Sequence, residues 1–443
     1  MGAARGGDAA SAQLVITAGQ LLGRWLRVRG VDAVYGRSLH GLPVVEVQDL
    51  SVAPLLAAAH WKVHGVAAAT HDDDGVLHLR GPDGGSAGGE VRVAGWRDLL
   101  DGPAVLSGTL RLELDLGAPA ADAVPPGPAP GGRWTDPEPD AVKRLGSARS
   151  PVVLAGPGVV EDRATPGLNA LAAAGTLGVL NTWGAKGVLD WRSRHHWATV
   201  GLQARDFELG GLGAADLIVA TGVDPREAPP ERWHLAPVLD VPPGSLGPLA
   251  EQCRRPDAEL SMPPLRDALA AVTRQGWAGE GAPLAPTRAT LHYGHCFGTG
   301  GLVAADPGVA GYWVARTLAT TDLGAVQVPA TREESGFAPA CVLVARLRQA
   351  TRPALAVVDA PLAPAVQAVL ETAGRLGVSL PLEVWDAAGP ALAPDAHLER
   401  LRHLAVAERP TPVSVATDDA QLPRMVNAAG PVVAWGGIPE ASP

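Results

Sequence analysis

Apolar positions in the first part of the chain recur first at helical and then at extended spacing. Leu and Trp residues at 21, 22, 25 and 26 mark one face of a helix, and Gly30 follows as a stop signal. Short apolar runs at 31–35 and 42–47 predict strands, and an Ala-rich stretch at 51–63 predicts a second helix. Residues 71–95 are rich in Asp and Gly and predict a loop, whereas the alternation at 109–116 predicts a half-buried strand. This order is typical of an α/β domain.

Longer apolar runs follow in the middle and last parts of the chain. Residues 150–158 (SPVVLAGPG) and 216–222 (DLIVATG) each predict a buried strand that ends in a glycine turn. Residues 354–359 and 380–385 predict strands on either side of a helix at 363–376. Strands that alternate with helices in this way favour parallel sheets. We therefore predict an α/β fold with three doubly wound parallel-sheet domains, of which the first is shortened.

Stretches rich in Pro and Gly separate these three regions, and such composition is typical of extended linkers. The length of 443 residues also favours about three domains. The predicted divisions are a shortened first domain at 1–117, a linker at 118–140, a second domain at 141–275, a linker at 276–290 and a third domain at 291–443.

The net charge and the cysteine content limit the kinds of partner and the cellular compartment that we expect for this protein. A formal net charge of -10 argues against nucleic acid as a partner. The three cysteines are widely spaced and fit neither a disulfide framework nor a paired-cysteine zinc site. The N-terminal stretch lacks the apolar core of a signal peptide, and no apolar run reaches the length of a membrane span. We expect a cytoplasmic protein with no membrane attachment.

Three segments of the middle region each consist of a strand that runs into a small-residue turn. They are residues 151–158 (PVVLAGPG), 181–187 (NTWGAKG) and 214–222 (AADLIVATG). In this order they resemble the central domain of acetolactate synthase and benzoylformate decarboxylase, which belong to the thiamine-diphosphate enzyme superfamily. Residues 19–36 resemble the opening helix and strand of the family's pyrimidine-binding domain, and the region that contains 335–340 (SGFAPA) resembles its diphosphate-binding domain.

The resemblance implies pyrimidine-binding, central and diphosphate-binding domains in that order, with cofactor sites formed between subunits. It therefore implies a homodimer or homotetramer, or a hetero-oligomer with an intact paralogue. The cofactors that it implies are thiamine diphosphate and Mg²⁺. The flavin-associated loop of acetolactate synthase has no counterpart around residues 201–204, so FAD is not expected.

The family activates its cofactor with a glutamate of the first domain, because a carboxylate has to hydrogen-bond the aminopyrimidine ring. Asp49 falls closest to this position and Glu46 is the fallback, so the resemblance implies a catalytic role for one of them. Both equally fit the description of a solvated acid at the end of a strand.

The family holds the diphosphate through a divalent metal, with an Asp in a Gly-Asp-Gly turn and an Asn after the next strand. The corresponding residues here are Asp359, flanked by Val358 and Ala360 in place of the glycines, and Asp386. Two carboxylates suit Mg²⁺, but the changed turn restricts the backbone beside it. Ordinary acids at strand ends are the alternative.

The loop at 329–337 stands where the family has a glycine-rich segment close to the cofactor. Glu333 and Glu334 would repel a phosphate unless Arg332 compensates them, so Arg332 and Gly336 are the candidate cofactor contacts. His195 and His196 are possible ligands or acid–base groups, but adjacent residues point to different sides of a strand or helix, which favours a surface or interface role.

Two functions remain open from the sequence. In the first, the chain is a divergent member of the acetolactate synthase type with degenerate cofactor motifs, which is catalytically silent and acts by subunit association. In the second, it is an active decarboxylase or carboligase that depends on thiamine diphosphate and Mg²⁺ and takes a small 2-oxoacid. A third possibility is that the old cleft serves another small ligand.

Overall fold

The structure is a computed structural model that describes residues 15–80, 90–94, 96–99, 108–121, 134–253, 260–332, 334–418 and 420–438. Its strands are β1 (Val15–Thr17), β2 (Val31–Gly36), β3 (Val45–Glu46), β4 (Ala67–His71), β5 (Val76–Arg80), β6 (Glu90–Val93), β7 (Gly108–Leu112), β8 (Pro119–Ala121), β9 (Pro151–Ala155), β10 (Gly178–Thr182), β11 (His196–Val200), β12 (Leu217–Thr221), β13 (Val238–Asp240), β14 (Leu302–Ala305), β15 (Val326–Gln327), β16 (Ala354–Asp359), β17 (Pro381–Trp385) and β18 (Thr411–Val415).

The α-helices of the described residues are α1 (Ala18–Val28), α2 (Val52–His64), α3 (Pro139–Ser147), α4 (Gly158–Glu161), α5 (Thr165–Gly175), α6 (Asp206–Leu209), α7 (Pro230–Trp233), α8 (Leu246–Gln252), α9 (Pro264–Trp277), α10 (Pro286–Phe297), α11 (Val309–Thr317), α12 (Phe337–Arg348), α13 (Pro364–Leu376), α14 (Pro394–Ala405) and α15 (Gln421–Ala429). None of these helices is long and apolar enough to span a membrane.

The described residues form two compact units, one within 1–61 and 66–130 and the other within 62–65 and 131–443. In the first unit, α1 begins with a capping box in which Thr17 and Gln20 bond each other's backbone amides. The predicted apolar face of α1 is confirmed, since Leu21, Leu22 and Trp25 are buried.

The main sheet of the first unit has the strand order β3-β2-β4-β5-β7-β6. Strands β4 and β5 pair in antiparallel fashion, as do β5 and β7, so this sheet is mixed rather than wholly parallel. The prediction of a loop over 71–95 was therefore wrong. Asp72 accepts hydrogen bonds from the amides of Asp74 and Val76, which reverses the chain, and Leu77 and Leu79 then enter the core.

Two wholly parallel sheets form the second unit, with the orders β11-β10-β9-β12-β13 and β15-β14-β16-β17-β18. Their strands are almost continuously apolar because helices cover both faces. The predicted α/β class is thus confirmed. The predicted domain boundaries stay predictions, and residues 122–133 of the first linker lie outside the described residues.

Counting the main sheet of the first unit as the first, we call β11-β10-β9-β12-β13 the second sheet and β15-β14-β16-β17-β18 the third sheet. Strands β14, β16 and β17 are neighbours in the third sheet and run in the same direction. Their carboxyl ends therefore meet at one edge of the sheet, where ligands bind in open α/β folds. Asp306, Asp359 and Asp386 stand at the ends of these strands.

Candidate functional site at the carboxyl edge of the third sheet

Asp306, which directly follows β14, caps the start of α12. Its side chain is buried, and its two oxygens accept hydrogen bonds from the amides of Gly336 (2.6 Å) and Ala338 (2.7 Å). Gly336 has a φ of 88°, which favours glycine. Burial raises the pKa of Asp306 to about 7 in spite of these two amide donors. This carboxyl group can therefore hold a proton near neutral pH.

Asp359 makes the equivalent contact with the start of α11. Its oxygens accept hydrogen bonds from the amides of Val309 (2.7 Å) and Ala310 (3.0 Å). Gly308 lies immediately before the helix, and a Cβ atom there would come within 2.2 Å of the carboxylate. A carboxylate at a helix N-terminus satisfies amides that have no partner within the helix. Asp359 therefore occupies a place where a phosphate oxygen could otherwise bind.

Asp386 lies one strand further along the same edge. The register of the sheet pairs Asp359 with Trp385, so the two predicted metal ligands follow adjacent strands. One oxygen of the half-buried Asp386 accepts a hydrogen bond from the amide of Ala388 (2.9 Å), which stabilises a local turn.

These residues do not fit a magnesium diphosphate site well. Three of the four carboxylate oxygens of Asp359 and Asp386 already accept amide hydrogens. In the part of the chain that the structure describes, no cluster of three or more His, Cys, Asp and Glu side chains could hold a metal ion. The amides that would bind a phosphate at α11 and α12 are likewise used by the chain itself.

The predicted cofactor contacts are also engaged elsewhere. The exposed Arg332 donates a 3.4 Å hydrogen bond to the carbonyl of Gly437, and the amide of Gly336 is bonded to Asp306. Glu334 accepts a long hydrogen bond from the amide of Thr331. Glu333 lies outside the described residues. The roles of Arg332 and Gly336 in cofactor binding stay predictions.

In the first unit, the candidate catalytic acids are both exposed. Asp49 precedes α2 and accepts a 2.9 Å hydrogen bond from the amide of Ser51, and its hydrogen bonds with Ser51 lower the pKa of Asp49. Glu46 lies in the short strand β3, opposite Gly36. This arrangement explains Asp49 as a turn residue, and the catalytic role of either acid stays a prediction.

Behind the carboxyl edge lies a buried polar network. His397 contacts Glu383 (3.0 Å) and His292 (2.8 Å), and Glu383 also accepts hydrogen bonds from Tyr293 and Trp385. Burial opposes ionisation of Glu383, but the partners His397, Tyr293 and Trp385 outweigh it and lower its pKa. The network joins β17 to α10 and α14 and fixes the sheet beneath the edge.

Asp306 and Glu383 were assigned no role from the sequence. Asp306 ends an apolar strand just as Asp359 does, and that signal could have marked it. Glu383 gave no signal, because it lies within the run 380–385 and its partners are distant in sequence.

Residues 139–236 match the family model described as thiamine pyrophosphate enzyme, central domain. No curated protein sequence matches the chain.

Among solved structures, the chain is similar to the thiamine diphosphate-dependent 4-hydroxybenzoylformate decarboxylase of Rhodococcus jostii RHA1. The TM-score is 0.65 at 13% sequence identity, over 91% of this chain and 99% of that one. The chain therefore has the fold of a thiamine-diphosphate enzyme, and residues 139–236 form a central domain of that superfamily.

Proposed function

We propose that the chain is a thiamine-diphosphate-enzyme-like protein of the acetolactate synthase type that does not hold the cofactor through its third sheet and acts by associating with other subunits. One observation carries this proposal. The amides at the starts of α11 and α12 are bonded to Asp359 and Asp306, so the chain's own carboxylates already satisfy amides that could otherwise bind a phosphate.

Electrostatics supports the same proposal. A diphosphate that approached this edge would meet Asp359, the half-buried Asp386 and Glu334, and like charges at short range repel strongly where water is excluded. Arg332 is exposed and bonded to Gly437, so it offers little compensation as it stands.

Subunit association is the function that a retained fold supports best. Thiamine-diphosphate enzymes are commonly oligomers, and the shared fold extends over 91% of this chain. The proposed partner is a second copy, which would give a homodimer or homotetramer, or an intact paralogue, and the proposed compartment is the cytoplasm.

The alternative is an active decarboxylase or carboligase for a 2-oxoacid, in which Asp359 and Asp386 hold Mg²⁺ and Asp49 or Glu46 activates the cofactor. The position of Asp359 and Asp386 on adjacent strand ends favours it.

Calorimetric titration with thiamine diphosphate and MgCl₂ separates the two. We expect no saturable heat for the purified chain at millimolar ligand. Micromolar binding that is lost in Asp359→Ala, and kept in the control Asp395→Ala on the exposed surface of α14, would overturn the proposal.

Light scattering tests association. We expect a mass that is a multiple of 45.3 kDa, or a mixed complex when an intact relative is coexpressed. A monomer that also fails to join the relative would contradict the association half of the proposal and leave the cofactor half standing.

A further inference from the structure

A cavity of about 350 Å³ lies beside the edge strand β11 of the second sheet, and Asp306, Asp359 and Asp386 are not among its lining residues. Strand β11, helix α9 and the segment 316–320 form its walls. The side chains that define its character are Lys186, His196, Arg316, Trp191, Trp197 and Trp277.

Lys186 is the unusual group in this cavity. It is one of three lysines in the chain, and only 8% of it is exposed. Its ammonium group has no hydrogen-bond acceptor among the residues that the structure describes. Burial, with a smaller contribution from Arg316, lowers the pKa of Lys186 to about 7. A buried cation without a partner is costly, so such groups are usually paired.

The carboxylate that pairs with Arg316 in the cavity wall is Asp206, and it is already committed to Arg316. Arg316 donates two hydrogen bonds to Asp206 (2.7 and 2.9 Å), which also accepts one from the amide of Gln203. Arg316 and Asp206 are almost completely buried and neutralise each other. The Nε atom of Arg316 is a further buried donor with no acceptor in the described part of the chain.

His196 supplies a dipole rather than a charge. The side-chain amide of Asn181 donates to the carbonyl of Thr182 (2.9 Å) and to Thr199 Oγ1 (3.3 Å), which leaves its oxygen to accept from His196 Nε2 (3.1 Å). Burial, assisted by Lys186 and Arg266, lowers the pKa of His196 to about 4. The ring is therefore neutral at physiological pH and does not compensate Lys186.

The remaining charged groups in the lining are mostly cationic. Arg266 donates a 3.1 Å hydrogen bond to the carbonyl of His196, Arg274 lies on the same helix, and Asp267 is exposed at the surface of α9. Asp190, which interacts with His196, is bonded by Arg192. Cationic side chains thus outnumber carboxylates in the lining.

Three tryptophans are among the residues that line the cavity with Lys186. Trp197 is buried and Trp191 is 38% exposed, although tryptophan is a costly residue to leave in water. Trp277 closes the side formed by α9. A ligand that satisfied Lys186 could therefore place an apolar body against these rings.

We propose that this cavity binds a small organic anion, whose carboxylate or phosphate group accepts hydrogen bonds from the Lys186 ammonium and whose apolar body lies against the tryptophans. The inference does not depend on thiamine diphosphate. It rests on a buried lysine that lines the cavity and makes no hydrogen bond or ion pair with the described residues, and on Arg316 in the same wall being already paired with Asp206.

Calorimetry with the full chain at pH 7.5 tests the proposal, with benzoate and phenyl phosphate as probes. Benzamide is the neutral control and inorganic phosphate is the control without an apolar body. We expect benzoate or phenyl phosphate to bind, with the other probes at least about 10-fold weaker, since a hydrogen bond to a charged group is worth about 10- to 100-fold in affinity. The better of the two identifies the head group.

Binding should also take up protons, because an anion raises the pKa of Lys186 above the pH of the experiment. Repeating the titration in buffers of different ionisation enthalpy measures this uptake, and affinity should fall as pH rises from 7 to 9. A structural role for Lys186 would produce neither effect.

Lys186→Met should weaken anion binding by about 10- to 100-fold and abolish proton uptake. Lys186→Arg, which retains a cation, should restore part of the affinity, and Lys143→Met on the exposed face of α3 should change nothing. Circular dichroism confirms that each variant is folded.

Three results would overturn the proposal. They are binding that is unchanged in Lys186→Met, equal binding of benzamide, and no binding of any anion by the wild-type chain at millimolar concentration. Equal affinity for inorganic phosphate would overturn the role given to the tryptophans.

Discussion

Asp306 and Lys186 are buried ionisable residues of the same unit, yet their surroundings are opposite. Both oxygens of Asp306 accept hydrogen bonds from backbone amides, whereas the amine of Lys186 has no acceptor among the described residues. Burial moves the pKa of both toward 7, upward for the acid and downward for the lysine. The chain supplies hydrogen-bond partners for Asp306, whereas for Lys186 the described residues supply none.

The difference shows where a ligand would have to compete with the protein. At the carboxyl edge of the third sheet, a phosphate would have to displace Asp306 or Asp359 from a helix start. At the cavity beside β11, an anion would displace only water and would relieve the cost of a buried cation. The two sites therefore differ in what a ligand would have to displace from the protein.

The largest expected effect concerns the paired cation of the cavity wall. Arg316→Met should lower the free energy of unfolding by about 3–5 kcal/mol, because it leaves Asp206 buried without its partner. Urea denaturation measures the change. If Arg316→Met is no more destabilising than Lys186→Met, the ion pair with Asp206 does not make Arg316 more important for stability than Lys186.

Next in size is the loss of the cap on α12. Asp306→Ala should lower the free energy of unfolding by about 2–4 kcal/mol, because it leaves the amides of Gly336 and Ala338 without acceptors. Asp306→Asn keeps one acceptor and should lose less. Equal losses for the two variants would show that the hydrogen bonds of Asp306 do not stabilise the helix start.

The sequence predicted those features that depend on neighbouring residues in the chain. The strands at 151–155, 217–221 and 354–359 follow from continuous apolar runs, and the place of Asp359 at a strand end follows from the last of them. Sheet order, by contrast, depends on contacts between distant segments.

The partners of the charged side chains could not be predicted for that reason. Asp359 meets amides that lie 49 and 50 residues earlier, and Arg316 meets Asp206 at a separation of 110 residues. Lys186 lies in a segment of small residues with no periodic pattern, and lysine is seldom buried, so its sequence context predicts exposure. The resemblance to the family's central domain singled out the segment 181–187, which contains Lys186, but did not predict that this lysine is buried.

A smaller effect should appear in the pH dependence of stability. The pKa of Lys186 is lowered from its usual 10.5 to about 7, so the unfolded chain binds the extra proton between these values. The free energy of unfolding therefore rises as the pH increases from 7 toward 10. Below pH 7, where Lys186 is charged in the folded chain, the full cost of burying the cation lowers stability. The slope is at most about 1.4 kcal/mol per pH unit.

The difference between wild type and Lys186→Met isolates this contribution from other titrating groups. Lys186→Met should be the more stable of the two at pH 6.5, and its advantage should shrink by about 1–3 kcal/mol by pH 9. Parallel pH profiles for the two proteins would show that Lys186 finds an acceptor in solution.

The smallest expected effect tests the predicted metal ligands Asp359 and Asp386 at the carboxyl edge. The side chain of the half-buried Asp386 accepts one hydrogen bond in the described structure, from the amide of Ala388, so Asp386→Ala should change the free energy of unfolding by less than about 1 kcal/mol. Adding 10 mM MgCl₂ should stabilise the wild type and Asp386→Ala equally, because the oxygens of Asp359 are already bonded to α11. If Mg²⁺ raises the melting temperature of the wild type but not of Asp386→Ala, the two carboxylates still bind a cation together. The carboxyl edge would then resemble the cavity beside β11, because charged side chains at both sites would bind a ligand of opposite charge.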